Sequence, residues 1–312
     1  MKSTTQRWAM LAPLTTVLIC SGNAVVTKMA ANVIAPSSIA FYRWSLALLV
    51  LIPFVGLAAW KNRNAAKRYW KQLTILGFFG MVIYQCLAYV AGETTTAVNM
   101  GVILALMPLF STLLASVLAS ERLTTARIIG GLISIGGLLY LTSRGDITNL
   151  VNGGLHPGDA LMLIAVLANA LYGVLVKRWA ILLPIWQSLF WQILAATIIL
   201  IPFWLSGPVS AITPSNLPII LYAAIPASLI APLLWMVGID KLGAARTALT
   251  INLVPIIVAL MGWAFLGEQL QAFHYIGGGV ALLGVILGLR EWKIGKSRSD
   301  EPNSAAWRGE EI

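Results

Sequence analysis

Charge is what this sequence has least of. Charged side chains make up 10% of its 312 residues, against about 25% in an average soluble domain. A soluble chain of this length could fill a core but would then need a polar coat. The 21 basic and 11 acidic residues, clustered as they are, cannot supply one. Cysteine is nearly absent: Cys20 and Cys86 both lie in apolar stretches, which excludes a disulfide scaffold and reads as packed thiols. The only histidines, His156 and His274, lie far apart and near loops, which argues against a His-based zinc or triad site. Nothing resembles a phosphate-binding loop, so ATP is not the direct energy source, and no cofactor is expected. A hydrophobic content of 59% excludes disorder. With mean hydropathy +0.84, the class that remains is a polytopic membrane protein.

A helix needs about 20 apolar residues to cross the hydrocarbon. Ten such segments are found, near 10–30, 37–58, 73–91, 97–119, 124–143, 158–178, 184–205, 217–238, 244–266 and 272–290. They are too long for strands and lack alternating polarity. Lys2 and Arg7 precede the first run as in a signal peptide, but the run continues to about Met29 and further runs follow, so it reads as an uncleaved span. The tail after Glu291 is polar. The net charge of +10 reads as basic loops at a membrane, and nucleic acid is not expected as a partner. Eighteen of the 21 Lys and Arg fall at the N-terminus, the even-numbered loops and the C-terminus. Lys28, Arg43 and Arg144 are the other three. The bias predicts that both termini are cytoplasmic.

The sequence repeats itself. At an offset of 147, Pro108 falls on Pro255, Glu121 on Glu268, and Gly130, Gly131 and Gly137 on Gly277, Gly278 and Gly284. At an offset of 149, Lys28 falls on Lys177 and Ile52-Pro53-Phe54 on Ile201-Pro202-Phe203. Each copy holds five spans, an odd number, so the second must enter from the opposite face. The fold expected is an all-α integral membrane protein with ten transmembrane helices as two inverted five-helix repeats, 1–150 and 151–292, followed by a polar cytoplasmic tail, 293–312. Inverted copies can exchange conformations and so face each side by turns, as secondary transporters do.

Several residues could carry transport. Asn23, Asn99, Asn169 and Asn252 each place an amide in a mostly apolar span, and Tyr84 and Gln85 lie in the middle of span three. Tyr172 is the repeat equivalent of Asn23. An amide facing lipid would go unsatisfied, so each faces either a cavity or a neighbouring helix. Arg43 lies within span two, with Lys28 and Glu93 at nearby span ends. One reading is a charged cluster that holds a substrate carboxylate or gates the mouth. The other is an Arg43–Glu93 pair that fixes helix packing, since the repeat partner of Arg43 is the neutral Gln192. Pro108 and Pro255 predict matched helix kinks. The glycines at 130, 131, 136 and 137, and at 277, 278, 279, 284 and 288, predict close helix packing. Glu121 and Glu268, between spans at opposite faces, read as helix caps or charge locks. Trp8, Trp60, Trp70, Trp179 and Trp292 read as an interfacial belt. Trp186, Trp191 and Trp235 lie deeper, with Tyr84 and Tyr89, where an aromatic pocket could take a planar or cationic substrate.

The runs Thr94-Thr95-Thr96-Ala97, Ala105-Leu106-Met107-Pro108-Leu109-Phe110, Ser120-Glu121-Arg122-Leu123 and Ile129-Gly130-Gly131 resemble the signature of the drug/metabolite transporter superfamily, EamA type. The second copy repeats it in Leu253-Val254-Pro255-Ile256, Leu266-Gly267-Glu268-Gln269 and Ile276-Gly277-Gly278. Gly158-Asp159 also fits, whereas the usual Trp-Gly of the first span is Ser21-Gly22. The resemblance implies a central cavity lined mainly by spans 1, 3, 4, 6, 8 and 9, which singles out Tyr89 and Trp235 among the aromatics. It implies export of amino acids or related small metabolites across a bacterial inner membrane. The expected partners are a small-molecule substrate and membrane lipid, in a monomer or homodimer. An exporter of toxic organic cations and a lipid-linked carrier are the alternatives. A membrane-embedded enzyme would need clustered His, Asp or Ser at the surface, which the sequence lacks.

Overall fold

The computed structural model describes residues 2–118, 125–146, 156–242 and 250–289. Glu121 and its neighbours in 119–124, the stretch 243–249 and the tail from 290 lie outside them. Every regular element among the described residues is helical. The main helices are α1 (Lys2–Ala30), α2 (Pro36–Lys61), α3 (Trp70–Thr94), α4 (Ala97–Leu118), α5 (Thr125–Thr142), α6 (Pro157–Trp179), α7 (Ile185–Ser206), α8 (217–242), α9 (Val254–Leu266) and α10 (Ala272–Leu289). A short helix, Arg63–Arg68, lies between α2 and α3.

Seven of these, α1–α4 and α6–α8, are long and apolar enough to cross a membrane. The apolar parts of the other three are shorter: Ile128–Leu141, Val254–Leu266 and Ala272–Leu287. For α9, part of the expected span falls in 243–249, outside the described residues.

Proline opens α2, α6, α8 and α9, where Pro36, Pro157, Pro218 and Pro255 sit in the first turn. There the missing amide proton costs nothing. Pro13 and Pro202 lie inside helices that run on through them, but Pro108 has the opposite effect. Pro108 has no N–H for the carbonyl of Leu104, and α4 breaks at 105–106 between Ala97–Leu104 and Met107–Leu118. Pro255 follows a 3₁₀ turn, Ile251–Leu253. Three π-helical turns also interrupt the ladder, at Ile52–Gly56 in α2, Phe78–Ile83 in α3 and Pro226–Ile230 in α8.

Burial is inverted relative to a soluble protein. On α2, Phe54 is 81% exposed while Arg43 is 3% exposed. Only a lipid surround makes that distribution favourable. The two sequence halves share their core. One apolar cluster joins Ile39, Trp44, Met81 and Tyr89 to Phe190, Ile193, Leu200 and Ile220.

Helix packing follows a reciprocal pattern. α3 packs on α6 as α8 packs on α1, and α4 packs on α6 as α9 packs on α1. α3 meets α7 as α8 meets α2, while α2 with α7, α4 with α9 and α5 with α10 form their own counterparts. The α5–α10 contact is the most intimate, with main chain lying against main chain. A Cβ on Gly137 would lie 2.7 Å from Gly277 O, one on Gly277 would lie 2.8 Å from Leu141 N, and one on Gly284 would lie 2.7 Å from Ser134 Cα. Ser134 Oγ donates to Ala281 O at 2.9 Å. Contacts rise along α5 as they fall along α10, so the two helices are antiparallel.

Five connections meet at one end of the molecule. Lys28 Nζ at the end of α1 donates to Gly92 O of α3 (2.7 Å). The amide of Ala35 before α2 donates to Ser210 Oγ in the α7–α8 loop (2.9 Å). Thr95 before α4 bonds to Asp159 in α6, and Arg144 after α5 contacts His156 before α6. Glu268, between α9 and α10, accepts from Ala97 N (2.7 Å) and Val98 N (3.1 Å) at the start of α4. At the opposite end, Asn62 Nδ2 donates to Gln187 Oε1 and Arg178 Nη1 to Leu118 O.

Candidate functional site

Arg43 organises the largest polar contact inside the helix bundle. It lies two turns into α2, about 10 Å along the axis from Pro36 at 1.5 Å per residue. Its Nε donates to Ser228 Oγ at 2.8 Å. Its Nη1 faces three acceptors: Gln85 Oε1 at 2.8 Å, Asn23 Oδ1 at 3.1 Å and Tyr89 Oη at 3.3 Å. The acceptors come from α1 (Asn23), α3 (Gln85, Tyr89) and α8 (Ser228), so both halves of the sequence supply them.

Local backbone features aim these groups. The π turn Phe78–Ile83 ends one residue before Tyr84, and its Met81 carbonyl accepts from Trp44 Nε1 at 3.1 Å, which fixes the residue beside Arg43. Ser228 sits within the π turn Pro226–Ile230 and donates to Ala223 O at 2.8 Å, five residues back. π turns rotate the following side chains out of α-helical register and often mark functional positions. The guanidinium also lies 5.1 Å from the centre of the Trp44 ring. Cys20 and Tyr84 fall within its electrostatic reach.

All four hydrogen-bond partners are neutral. Among the described residues Arg43 forms no ion pair, and its Nη2 has no hydrogen-bond partner. Among the described residues, five buried polar atoms are sealed without a partner: Ser45 Oγ, Asn99 Oδ1, Trp191 Nε1, Gln192 Oε1 and Trp204 Nε1. Nη2 is not one of them, so it borders accessible space.

The expected charged grouping of Lys28, Arg43 and Glu93 does not form. Lys28 is tied to the backbone of Gly92, Glu93 is exposed, and Arg43 turns to amides and hydroxyls instead. The Arg43–Glu93 packing pair is likewise not made. The reason is direction: Arg43 points into the bundle toward α1, α3 and α8, whereas Glu93 ends α3 at the surface.

The other amides go elsewhere. Asn99 Nδ2 donates to both oxygens of the buried Asp159 (3.2 and 3.4 Å). Its own amide N–H is capped by Thr96 Oγ1 (3.1 Å). Asn169 Nδ2 contacts Met107 Sδ at 3.2 Å, beside Pro108. Tyr172 lays its ring over Gly80, where a Cβ would come within 2.7 Å. Trp235 is half-buried on α8 and makes no hydrogen bond among the described residues. The side chain of Asn252 lies outside the described residues.

Sequence reasoning missed Ser228, and it marked Asp159 only as part of the family pattern Gly158-Asp159. Ser228 is an ordinary serine, but its neighbour Pro226 signals the local unwinding that turns it inward. The bonds of Asp159 to Thr95 and Asn99 were not foreseen. The signal was Gly158, whose missing side chain lets α6 start against the end of α3: a Cβ there would lie 2.6 Å from Thr94 Oγ1. Among the described residues no group of three His, Cys, Asp or Glu could hold a metal.

Comparison with known proteins agrees with a transport fold. The uncharacterized transporter YyaM of Bacillus subtilis is 28% identical over 290 residues, covering 89% of this chain and 92% of that one. An uncharacterized transporter of Archaeoglobus fulgidus is 27% identical, covering 87% and 94%. A protein of Streptantibioticus cattleyicolor named as a probable terminal-alkyne amino-acid exporter is 24% identical, covering 72% and 75%. A crystal structure at 20% identity superposes with a TM-score of 0.60 over 91% of this chain and 98% of that one, which speaks to the fold alone. The EamA-like transporter family matches the sequence twice, over residues 7–143 and 156–290. Such tandem matches span most of the chain, on a helical, lipid-facing fold with a polar nest at its centre: the protein is a transporter, not an enzyme, and belongs to the EamA-like transporter family.

Proposed function

We propose that the protein is a secondary transporter that exports amino acids or related small metabolites by alternating access across the bacterial inner membrane. In this reading α1–α10 all cross the bilayer, and residues 1–150 and 151–292 form two inverted repeats. The reciprocal helix contacts support it, because a two-fold relation requires each contact to have its mirror. Gly137 against Ala281 and Gly284 against Ser134 are one such pair. The gathering of the odd-numbered connections at one end supports strict alternation of direction. That end carries few Lys and Arg, whereas Lys61, Arg63, Lys67, Arg68 and Lys71 lie at the other, so the positive-inside rule makes the second end cytoplasmic, with both termini and the tail 293–312.

The observation that carries the functional reading is the Arg43 nest. A charge held well inside the membrane, by helices of both halves, marks a substrate path by default. Asn23, Tyr84, Gln85, Tyr89 and Ser228 are its lining. Asn99, Asn169, Tyr172, Trp235 and Asn252 are assigned to the rest of the route, and the break before Pro108 and the 3₁₀ turn before Pro255 to the bending that opens it. Export of amino acids is supported by the Streptantibioticus relative.

The test is a growth screen of an overexpressing strain against toxic amino acid analogues, followed by flux measurements in liposomes. Raised tolerance to at least one analogue, with matching release from liposomes, is expected. No change in tolerance to any of them, together with no flux, would sink this reading. Selective tolerance to organic cations would replace it with a cation exporter.

A further inference from the structure

Counting donors and acceptors around Arg43 shows an imbalance. Four acceptors of the nest are spent on the guanidinium, Asn23 Oδ1, Gln85 Oε1, Tyr89 Oη and Ser228 Oγ, and the Tyr84 hydroxyl is the other polar group of its lining. The orientation of both amides is forced, because arginine offers donors only. That leaves donors over. Arg43 Nη2 carries two N–H groups without a partner. Asn23 Nδ2, Gln85 Nε2 and the Tyr89 hydroxyl proton also make no hydrogen bond among the described residues. Nη2, Asn23 Nδ2 and Gln85 Nε2 are not among the sealed, unpartnered atoms. The site is therefore rich in unspent donors, poor in acceptors, and carries a positive charge with no carboxylate of the protein beside it.

Resting on the transport reading above, we infer that this nest binds the carboxylate of the transported molecule, and that the substrates are carboxylates rather than organic cations. One carboxylate oxygen accepts from Arg43 Nη2. The other accepts from the Tyr89 hydroxyl or the amide of Gln85 or Asn23. Nη1 faces three acceptors with only two hydrogens, and the longest contact, 3.3 Å to Tyr89 Oη, leaves that hydroxyl the freest to turn its proton to an anion. A carboxylate supplies what the nest lacks, an acceptor with a negative charge, in a low-dielectric surround where such a bond is strong. An ammonium group would meet surplus donors and a like charge. Neutral partners also suit a carrier: a permanent Asp or Glu beside Arg43 would compete with the substrate at every cycle.

The probes are matched pairs that differ in the carboxylate alone. The purified full-length protein is heated in detergent with each of the twenty standard L-amino acids, and with isoamylamine and phenethylamine, the decarboxylated counterparts of leucine and phenylalanine. At least one amino acid is expected to raise the unfolding midpoint saturably, and neither amine to do so. Arg43→Gln should weaken that amino acid at least about tenfold, the scale of one charge-assisted hydrogen bond. Arg43→Lys, which keeps the charge but loses the planar fork, should fall between. The ranking of acid over amine is a readout that a purely structural arginine would not set. Stabilisation by the amines, an amino acid shift unchanged in Arg43→Gln, or no shift from any amino acid would each overturn the inference. In parallel, metabolites enriched in the medium of overexpressing cells are identified by mass spectrometry. Enrichment confined to carboxylates supports the inference, and enrichment of a simple amine overturns it. No enrichment beside an intact Arg43-dependent shift counts against export and leaves the carboxylate site standing.

Discussion

Replacing Gly137 by alanine adds one methyl group where α5 and α10 touch main chain to main chain. The new carbon would lie 2.7 Å from Gly277 O and 2.9 Å from Ala281 Cα. Relaxed carbon contacts lie at about 3.5–4.0 Å, so the helices must part by roughly 1 Å. Both obstacles are backbone atoms, and no rotamer change removes them. Overpacking of this kind costs about 1–3 kcal/mol. The better helix propensity of alanine returns about 1 kcal/mol, leaving a net loss of up to about 2 kcal/mol. Gly136 is the internal control. It is one residue away on the same helix, and a Cβ there meets nothing within 4 Å. Gly136→Ala should therefore be neutral or gain up to about 1 kcal/mol. Thermal unfolding in detergent, followed by fluorescence-detected size exclusion, compares the two. Gly137→Ala should melt several degrees below wild type and Gly136→Ala at or above it. Equal midpoints for the two variants would refute the claim that backbone contact holds this helix pair together.

Glu268→Ala removes the carboxylate that accepts from two backbone N–H groups at the start of α4 and should destabilise the protein by about 1–2 kcal/mol, while Gln269→Ala, on an exposed neighbour, should leave the melting curve unmoved. Asp159→Asn keeps the shape but turns charge-assisted bonds to Thr95 and Asn99 into neutral ones, and should lower stability by about 1 kcal/mol; Asp159→Ala should cost more, and a midpoint for Asp159→Asn above wild type would contradict that account. In a background with Cys20 and Cys86 replaced by alanine, a membrane-impermeant maleimide should label Val209→Cys in intact cells and Asn64→Cys only after permeabilisation. Labelling of both from the same side would overturn the orientation.

The sequence made the long helices legible because lipid writes a simple rule, runs of about 20 apolar residues. The glycine pattern also marked Gly137, Gly277 and Gly284 as packing residues, and all three meet backbone across α5 and α10, whereas Gly136 and Gly279, marked with them, meet nothing within 4 Å. The site was legible in part. Asn23, Gln85 and Tyr89 stood out as polar groups in apolar spans, and they meet at Arg43. Their grouping was not readable, because it depends on which helices pack together and on π turns that shift the side-chain register. Asn99 and Asn169 carry the same signal yet serve Asp159 and Met107 instead. Polarity in a span says that a partner exists and leaves its identity open. Glu93 was misjudged as a partner for Arg43 because closeness along the membrane normal says nothing about direction around the helix axis.

The sharing of one core by both halves has a consequence for how the chain is made. α1 packs on α8 and α9, which leave the ribosome some two hundred residues after it. The early helices must therefore wait in the bilayer without their final neighbours. Arg43 would be the dearest of them to hold there, since an unshielded arginine costs about 2.5–3.5 kcal/mol at the centre of a span on insertion scales, and less two turns from its end, where Arg43 lies. Asn23 precedes it in synthesis and Gln85 and Tyr89 follow within one helix, so a hairpin of the first three spans already shelters the charge. Ser228 arrives last and closes the nest. The same amides that face the guanidinium in the finished protein thus act first as its escort during assembly.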